Sequence, residues 1–404
     1  MPQLINAATT HLRINSFELK LLNFFHAACV PLFSFNVDKE SHEIWDVGIR
    51  PHFVSSGCVR NGVFAVACLM LWPRQNVQKS LTMEKPPTFL SKRHDKKDFA
   101  HVYRPVGEGD HPEENLLATT VRYFDQNLTC TQAHIQEIHL QPFYTATQVN
   151  PLFYNGSLTY VYVGLNPNIV MPFFDPYSET PMDLLQYAVN YTQLFAGAIR
   201  DNPLLPHMGD PLVHYRVKQF VNFERRTKKS NFVQKLRYQL TKFYYGDTAF
   251  LEITSRSCYE YAVFDEHLNY LEFVVTEARR LGIPVPIFEW PFTVSKNFVQ
   301  LARQHNEFAL RILLAFASLS LYSGFFLIKT SNLWLHYIQW FTSRELPICD
   351  FDARLLEIVL ADFKPDLTNF GPFLERFENM WADISPEEQE VLDVENLAGL
   401  FPIM

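Results

Sequence analysis

Histidine and carboxylate at short spacing are the residue types from which a metal site or an acid–base pair is made, and the chain offers three such places. His134, Glu137 and His139 fall in one helical stretch. Positions i and i+3 share a helix face, so His134 and Glu137 could ligate together. The five-residue step to His139 spoils the set, and a solvated or locally hydrogen-bonded face is the better reading. His42 and Glu43 have no second histidine four residues on and read as a surface pair. Asp350 and Asp352 could share a proton, but neighbours at i and i+2 diverge on a helix, and one of them is expected to N-cap the segment that follows. No metal is predicted.

The longer motifs that carry catalysis are missing from the 404 residues. There is no G-x-S-x-G elbow, no P-loop and no H-E-x-x-H helix, and Gly107 and Gly109 run into His111 and Pro112 without completing a dinucleotide fingerprint. Cys29, Cys58, Cys68, Cys130, Cys258 and Cys349 lie far apart with no C-x-x-C pair, and read as reduced core residues. The expectation is therefore a binding protein with no cofactor, not an enzyme.

Which elements position these residues follows from composition and periodicity. With 48% apolar and 15% aromatic residues, 14 Gly and 25 Pro, the chain is globular, and a length of 404 suits one large helical domain or two to three units. Thirty-five basic against 43 acidic residues give a net charge of −8, which argues against holding nucleic acid by overall charge. Lys20 and His26 interrupt the first apolar stretch, so no secretory leader is read. The protein is expected inside the cell, where the sequons at Asn127, Asn155 and Asn190 carry no information.

Helical periodicity dominates and predicts an all-α fold, a large multi-helix domain with little or no strand. Thr180, Pro181 and Asp183 start a helix whose apolar positions run Met182, Leu185, Val189, Thr192, Phe195 and Ile199. Phe264, Leu268, Leu271, Val275, Ala278 and Leu281 form a second stripe closed by Gly282 and Pro284. Further helices are expected at 17–30, 42–53, 59–72, 113–137, 232–245, 296–328, 334–344 and 351–363, and Ser385, Pro386 and Glu388 cap a last short one. The one expected strand is 158–165, where β-branched and aromatic residues crowd between Asn-Gly and Asn-Pro turns. Residues 86–110 and 202–211 read as surface loops. The organisation expected is 1–85 as the N-terminal helical part, 86–110 as the loop and 111–404 as the main body of the same domain.

Two stretches raise alternatives. Residues 312–328 are uncharged between Arg311 and Lys329, at the lower edge of membrane-spanning length, and contain Ser318, Ser320, Tyr322, Ser323 and Gly324. A buried core helix is favoured, and a membrane-associated protein anchored by 312–328 is the alternative. Arg216, Lys218, Arg225, Arg226, Lys228, Lys229, Lys235, Arg237 and Lys242 form the one basic concentration, relieved by Glu224 alone. Within it Arg225, Arg226, Lys228 and Lys229 could serve nuclear import or contact phosphate, set against an ordinary solvated face. Lys92, Arg93, Lys96 and Lys97 are a weaker set, interrupted by Asp95 and Asp98.

Two blocks are more specific. Residues 17–73 contain Val59, Arg60, Phe64, Ala65, Ala67 and Leu69 in the form V-R-x-x-x-F-A-x-A-x-L. Residues 286–341 carry Trp290 and Pro291 ahead of Phe298, Phe308, Ala309, Leu310, Ile312, Leu313 and Trp334. In both, the chain resembles the C-terminal regulatory region of fungal binuclear zinc-cluster transcription factors, particularly the sterol uptake control protein group. The resemblance implies an all-helical domain that senses a sterol or other lipid effector, dimerises or pairs with a full-length paralogue, and regulates transcription in the nucleus while shuttling with the cytoplasm. The zinc cluster of such factors needs six closely spaced cysteines, which these 404 residues do not contain. No sequence-specific DNA binding is expected of this chain alone, so either the DNA-binding head lies upstream of Met1 or the protein is a headless paralogue acting through a partner. On this reading Phe298, Phe308, Ile312, Phe316, Tyr322 and Trp334 are the candidates to line a hydrophobic pocket. The closing acidic and apolar residues share the composition of activation segments, though the Ser385 cap favours a docked amphipathic helix.

Overall fold

A computed structural model describes residues 12–34, 39–73, 115–139, 145–177, 182–222, 229–245, 255–344, 348–361 and 370–383. The expected loop 86–110, the Thr180–Pro181 start, the set from Lys92 to Lys97, Arg225, Arg226, Lys228 and the closing segment from Ser385 lie outside them. The described residues are helical and contain no sheet, only an isolated bridge between Ile328 and Ser331. The chain divides into two compact units, one of Met1–Val170, Asn190–Asn222 and Phe326–Leu333, the other of Met171–Val189, Phe223–Phe325 and Trp334–Met404.

In the first unit α1 (Ser16–Phe24) starts at a capping box, Asn15 Oδ1 accepting from Glu18 N at 2.8 Å and Glu18 returning the bond to Asn15 N. The chain widens into a π-helical turn at Phe25–Cys29, continues as α2 (Val30–Ser34), and repeats the device with α3 (Lys39–Glu43), a π-turn at Ile44–Gly48 and α4 (Ile49–Ser55). Next come α5 (Gly57–Leu71), α6 (Leu116–His139), α7 (Ala146–Leu165), α8 (Leu184–Asp201), whose first six residues are counted with the second unit, and α9 (Pro211–Asn222). Apolar on nearly every face, α5 packs against α1, α4, α6 and α7 and forms the unit's centre. Arg60 closes the turn before it, its guanidinium donating to Val54 O at 3.0 Å and Phe53 O at 3.4 Å.

The second unit contains α10 (Asn231–Tyr245), α11 (Ser255–Leu281), a 3-10 segment at Val285–Thr293, α12 (Lys296–Arg303), α13 (Glu307–Tyr322), α14 (Leu333–Thr342), α15 (Asp350–Leu360) and α16 (Phe370–Asn379). Every residue of α13 from Phe308 to Tyr322 is buried, with α10, α11, α12, α15 and the 3-10 segment around it. Among the described residues no helix is long and apolar enough to cross a membrane. The apolar run leaves the helix after Tyr322, where Gly324 takes a positive φ of 74° that ends it. The membrane-anchored alternative is thereby withdrawn.

Three other expectations are corrected. Residues 158–165 are the end of α7, a helix that starts at a Thr145–Gln148 capping box, and no strand. Every residue of α7 from Val149 to Leu165 except Val161 is buried, and packing around the whole circumference overrides β-propensity. Asn155 is no turn residue either, since its Nδ2 donates to Thr131 Oγ1 at 2.7 Å and its Oδ1 accepts from Asn127. The single helix expected over 296–328 is broken at 304–306, where His305 adopts φ 59° and Asn306 Oδ1 caps α13 through Phe308 N and Ala309 N. Finally, α9, α16 and the 3-10 segment carried no expectation at all.

Gly156 sits where Tyr191 crosses α7; a Cβ there would lie 2.2 Å from the Tyr191 ring, whereas one at Gly197 would meet nothing closer than 3.9 Å. Overpacking of about 1–3 kcal/mol outweighs the gain of about 1 kcal/mol that Ala brings to a helix. Gly156→Ala is therefore expected to lower the urea midpoint and Gly197→Ala to raise it.

Candidate functional site

The six residues expected to line a pocket are all buried in the second unit, spread along and beside α13 from Phe308 near its start to Tyr322 at its end. Phe316 is the meeting point. Its ring stacks on Trp290 at 4.8 Å and lies 5.5 Å from Phe173 and 5.7 Å from Trp334. Phe308 packs on Phe264, Phe298 meets the edge of Trp290, and Tyr322 stacks on Phe373 at 4.4 Å. Each such pair adds about 0.5–1.5 kcal/mol beyond area burial. Trp334 is fixed by its indole N–H, which donates to Phe325 O at 2.8 Å. Ile312 is fully buried one turn before Phe316.

Polar atoms enter this apolar hub at three places. Ser320 and Ser323 follow Phe316 at helical spacing and share its face, and their hydroxyls, with that of Ser318, are buried without a hydrogen-bond partner among the described residues. Arg311 lies near the start of α13 and is 6% exposed at its side chain; its Nε reaches both oxygens of the fully buried Asp352 at 3.0 and 2.9 Å, and an Nη donates to Glu307 at 3.0 Å. Burial, the largest single influence, would lower the pKa of Arg311, but the Asp352 charge and hydrogen bonds together with Cys349 and Glu307 outweigh it and hold the guanidinium ionised. Asp352 does not N-cap α15: Cys349 holds that position, and Asp352 sits three residues on with its carboxylate on Cys349 N. Asp350 is exposed.

The third is His267. It is fully buried on α11, its ring stacked on Phe298 at 4.6 Å, Nδ1 donating to Val263 O at 2.6 Å and Nε2 accepting from Ser295 N at 2.9 Å. Its own carbonyl takes the Trp290 indole N–H at 3.0 Å. One neutral imidazole thus anchors the Trp-Pro segment and the start of α12. Burial pushes its pKa down to about 4.

Carboxylates elsewhere are consumed as caps. In the first unit Asp210 accepts from Leu212 N and Val213 N at the start of α9, from Asn150 Nδ2 at 3.0 Å, from Tyr154 OH at 3.4 Å, and meets His52 Nε2 at 3.2 Å. The His–Asp pair resembles half of a catalytic triad, but the carboxylate is saturated and no nucleophile among the described residues bonds His52. In the second unit Asp183 caps α8 through Gln186 N at 2.7 Å and pairs with Arg303 at 2.8 Å, and Glu378 accepts from Ser230 Oγ and Asn231 N at the start of α10. Burial raises the pKa of both acids.

The expected basic concentration is not one surface. Arg216 is buried, and Arg237 is spent on Asp265, Asn269 and Glu272, two acids and an amide that arrive from α11 and were invisible as partners in sequence. Lys235 touches Asp383 O, and Lys229 is exposed. His134 bonds Gln148 O at 2.6 Å, a local role; Glu137 is exposed. Of the cysteines, Cys29, Cys58 and Cys68 are core residues, Cys130 and Cys349 are half-buried, and Cys258 is exposed. Both Asn127 and Asn155, read as empty sequons, are buried in hydrogen bonds.

No family model, curated protein or solved structure matches the chain.

Two expectations test the hub. Arg311→Met leaves Asp352 charged and buried, and is expected to cost about 3–5 kcal/mol in urea unfolding, most of it recovered in Arg311→Met/Asp352→Leu. For His267, the unfolded imidazole binds a proton below its ordinary 6.5 while the folded one resists to about 4, so its stabilising contribution is complete above pH 6.5 and is lost as pH falls towards 4. Asp183 and Glu378, with raised pKa values, work in the opposite sense in both proteins compared. Wild type should lose about 3 kcal/mol more than His267→Gln between pH 7 and 4, measured as the difference between the two unfolding curves.

Proposed function

We propose that the chain is a non-catalytic regulatory domain similar to that of fungal zinc-cluster transcription factors, working in the nucleus, through a homodimer or a full-length paralogue, under the control of a sterol or other hydrophobic effector. One observation carries the reading: the residues of the two resemblance blocks are spent on architecture. Val59, Phe64, Ala65, Ala67 and Leu69 are the buried faces of α5, and Arg60 closes the turn before it. Trp290, Phe298, Phe308, Ala309, Leu310, Ile312, Leu313 and Trp334 are all fully buried at the second unit's hub. A motif that builds cores and aims no side chain at a reacting atom suits recognition better than chemistry. The unpartnered hydroxyls of Ser320 and Ser323 favour an amphiphile with a polar head within this reading.

The test is thermal unfolding with cholesterol, ergosterol or oleate at about 100 times the dissociation constant. A ligand that binds the native state adds about 2.7 kcal/mol, a rise of roughly 5 °C or more for a unit of this size. Ser320→Ala/Ser323→Ala should reduce the rise. No shift with any of the three removes the effector. Exclusion of the tagged chain from nuclei together with no recovery on promoter chromatin removes the regulator.

A further inference from the structure

In the first unit two cysteines arrive from different helices at one place. Where α6 lies against the start of α5, Asn127 Nδ2 donates to Cys58 O at 2.7 Å, and Cys130 follows Asn127 by about one turn. Cys130 Sγ accepts from Asn61 Nδ2 at 3.8 Å and lies 3.6 Å from where a Cβ would stand on Gly57, the residue before Cys58. Glycine at 57 thus puts no side chain between that sulfur and the first turn of α5. Cys58 Sγ shares a hydrogen bond with Ser56 Oγ at 3.0 Å. Among the described residues no group of three metal ligands forms, which leaves the two thiols to each other.

The two sulfurs differ in access. Cys130 is half-buried, whereas Cys58 is 2% exposed. Burial above all, and to a smaller degree the charge of a Cys130 thiolate, holds the Cys58 thiol above its ordinary range. A charge on one sulfur that is felt at the other agrees with their placement at one end of the α5–α6 pair. An oxidant from solvent therefore meets Cys130 first and finds Cys58 protonated and covered. That is the division of labour between a thiol that reacts with peroxide and one that resolves the product.

We propose that Cys58 and Cys130 form a redox latch, closed by peroxide into a disulfide that ties the first turn of α5 to α6. The Cys130 thiolate attacks one oxygen of hydrogen peroxide, the O–O bond breaks, and Cys130 sulfenic acid and hydroxide result. The Cys58 sulfur then attacks the sulfenic sulfur and the S–O bond breaks. The hydroxyl leaves as water with the Cys58 proton, which Ser56 Oγ is placed to receive and pass on. Together the two thiols give up two electrons, and peroxide becomes two waters. The cross-link joins points far apart in the chain, so it narrows the unfolded ensemble and makes the closed latch the more stable form. The latch belongs to the first unit and stands or falls without the effector hub of the second.

The test is peptide mass mapping of the full chain carrying Cys258→Ser, which removes the exposed thiol, after a small excess of hydrogen peroxide and alkylation. A peptide pair joined through Cys58 and Cys130, lighter by two hydrogens than its reduced parts, is expected, and dithiothreitol should release it. The oxidised chain should melt roughly 5 °C or more above the reduced one. With Cys58→Ala the sulfenic acid has no resolving thiol, so dimedone should label Cys130; with Cys130→Ser, Cys58 should stay reduced. Mapping of the parent chain needs neither variant, so a failure of either to fold leaves the result readable. Cys130 joined to any other cysteine, a sulfinic Cys130 with Cys58 still reduced, oxidation of Cys58 in Cys130→Ser, or an unchanged melting temperature would overturn the proposal.

Discussion

A helix buried on every side dictates the rest of the second unit. Because α13 from Phe308 onward offers no solvent face, each element around it must bring its own apolar stripe and leave its polar groups elsewhere, and the one charge within that buried span, Arg311, must be answered inside the core. Asp352 answers it. That pair places α15 against α13 with a directionality that apolar packing lacks, since a side chain can slide over a hydrophobic surface but a guanidinium buried from water cannot leave its carboxylate. The first unit solves the same problem around α5 with neutral groups, Asn127 bridging Cys58 O and Asn155, and Thr120 reaching Ala65 O.

The polar chemistry of the protein is mostly committed to ending and starting helices. Asp210, Asp183, Glu378, Asn306 and Ser295 each accept backbone N–H groups at a helix start, where those donors lack intrahelical partners. His267 extends the pattern, a side chain that joins a helix, a Trp-Pro segment and the next helix start through both ring nitrogens and its carbonyl. Groups engaged in this way are poor acids and bases, because each proton transfer would break a cap. The same commitment makes the fold sensitive to acid at His267.

Much of this was legible before any coordinates. Amphipathic helices such as α10 and α11 declare themselves by a stripe at helical spacing, and the core of α13 by an uncharged run at the lower edge of spanning length. Where the reading failed, a local signal met a tertiary demand. The β-branched and aromatic residues of 158–165 suit a strand, but a helix buried on all faces needs the same bulk, and nothing in the sequence separates the two. The break at 304–306 depends on Asn306 acting as a cap and on His305 accepting a left-handed backbone, neither of which an apolar pattern displays. Arg237 looked like part of a basic patch because its neighbours in sequence are basic, while its partners Asp265 and Glu272 come from another helix. The Arg311–Asp352 pair was missed for the same reason: 41 residues separate the partners. Aromatic residues grouped in sequence on and beside one helix stay near it in space, which is why Phe298, Phe316 and Trp334 meet around Trp290 and α13.

Ser318 and Ser320 of α13, with Ser323 at its C-cap, separate what the fold needs from what it carries. A wholly buried helix is best built from Ala and Leu, which bring no polar atom and favour the helix more than Ser does. A hydroxyl in such a position can bond back to a carbonyl one turn earlier, and for Ser318, Ser320 and Ser323 no such bond is made. Each therefore carries the cost of a buried hydroxyl with no hydrogen bond among the described residues to offset it. Residues that weaken a core without helping to build it are where function is most economically sought, and Ser320 and Ser323 share their helix face with Phe316, at the centre of the aromatic hub.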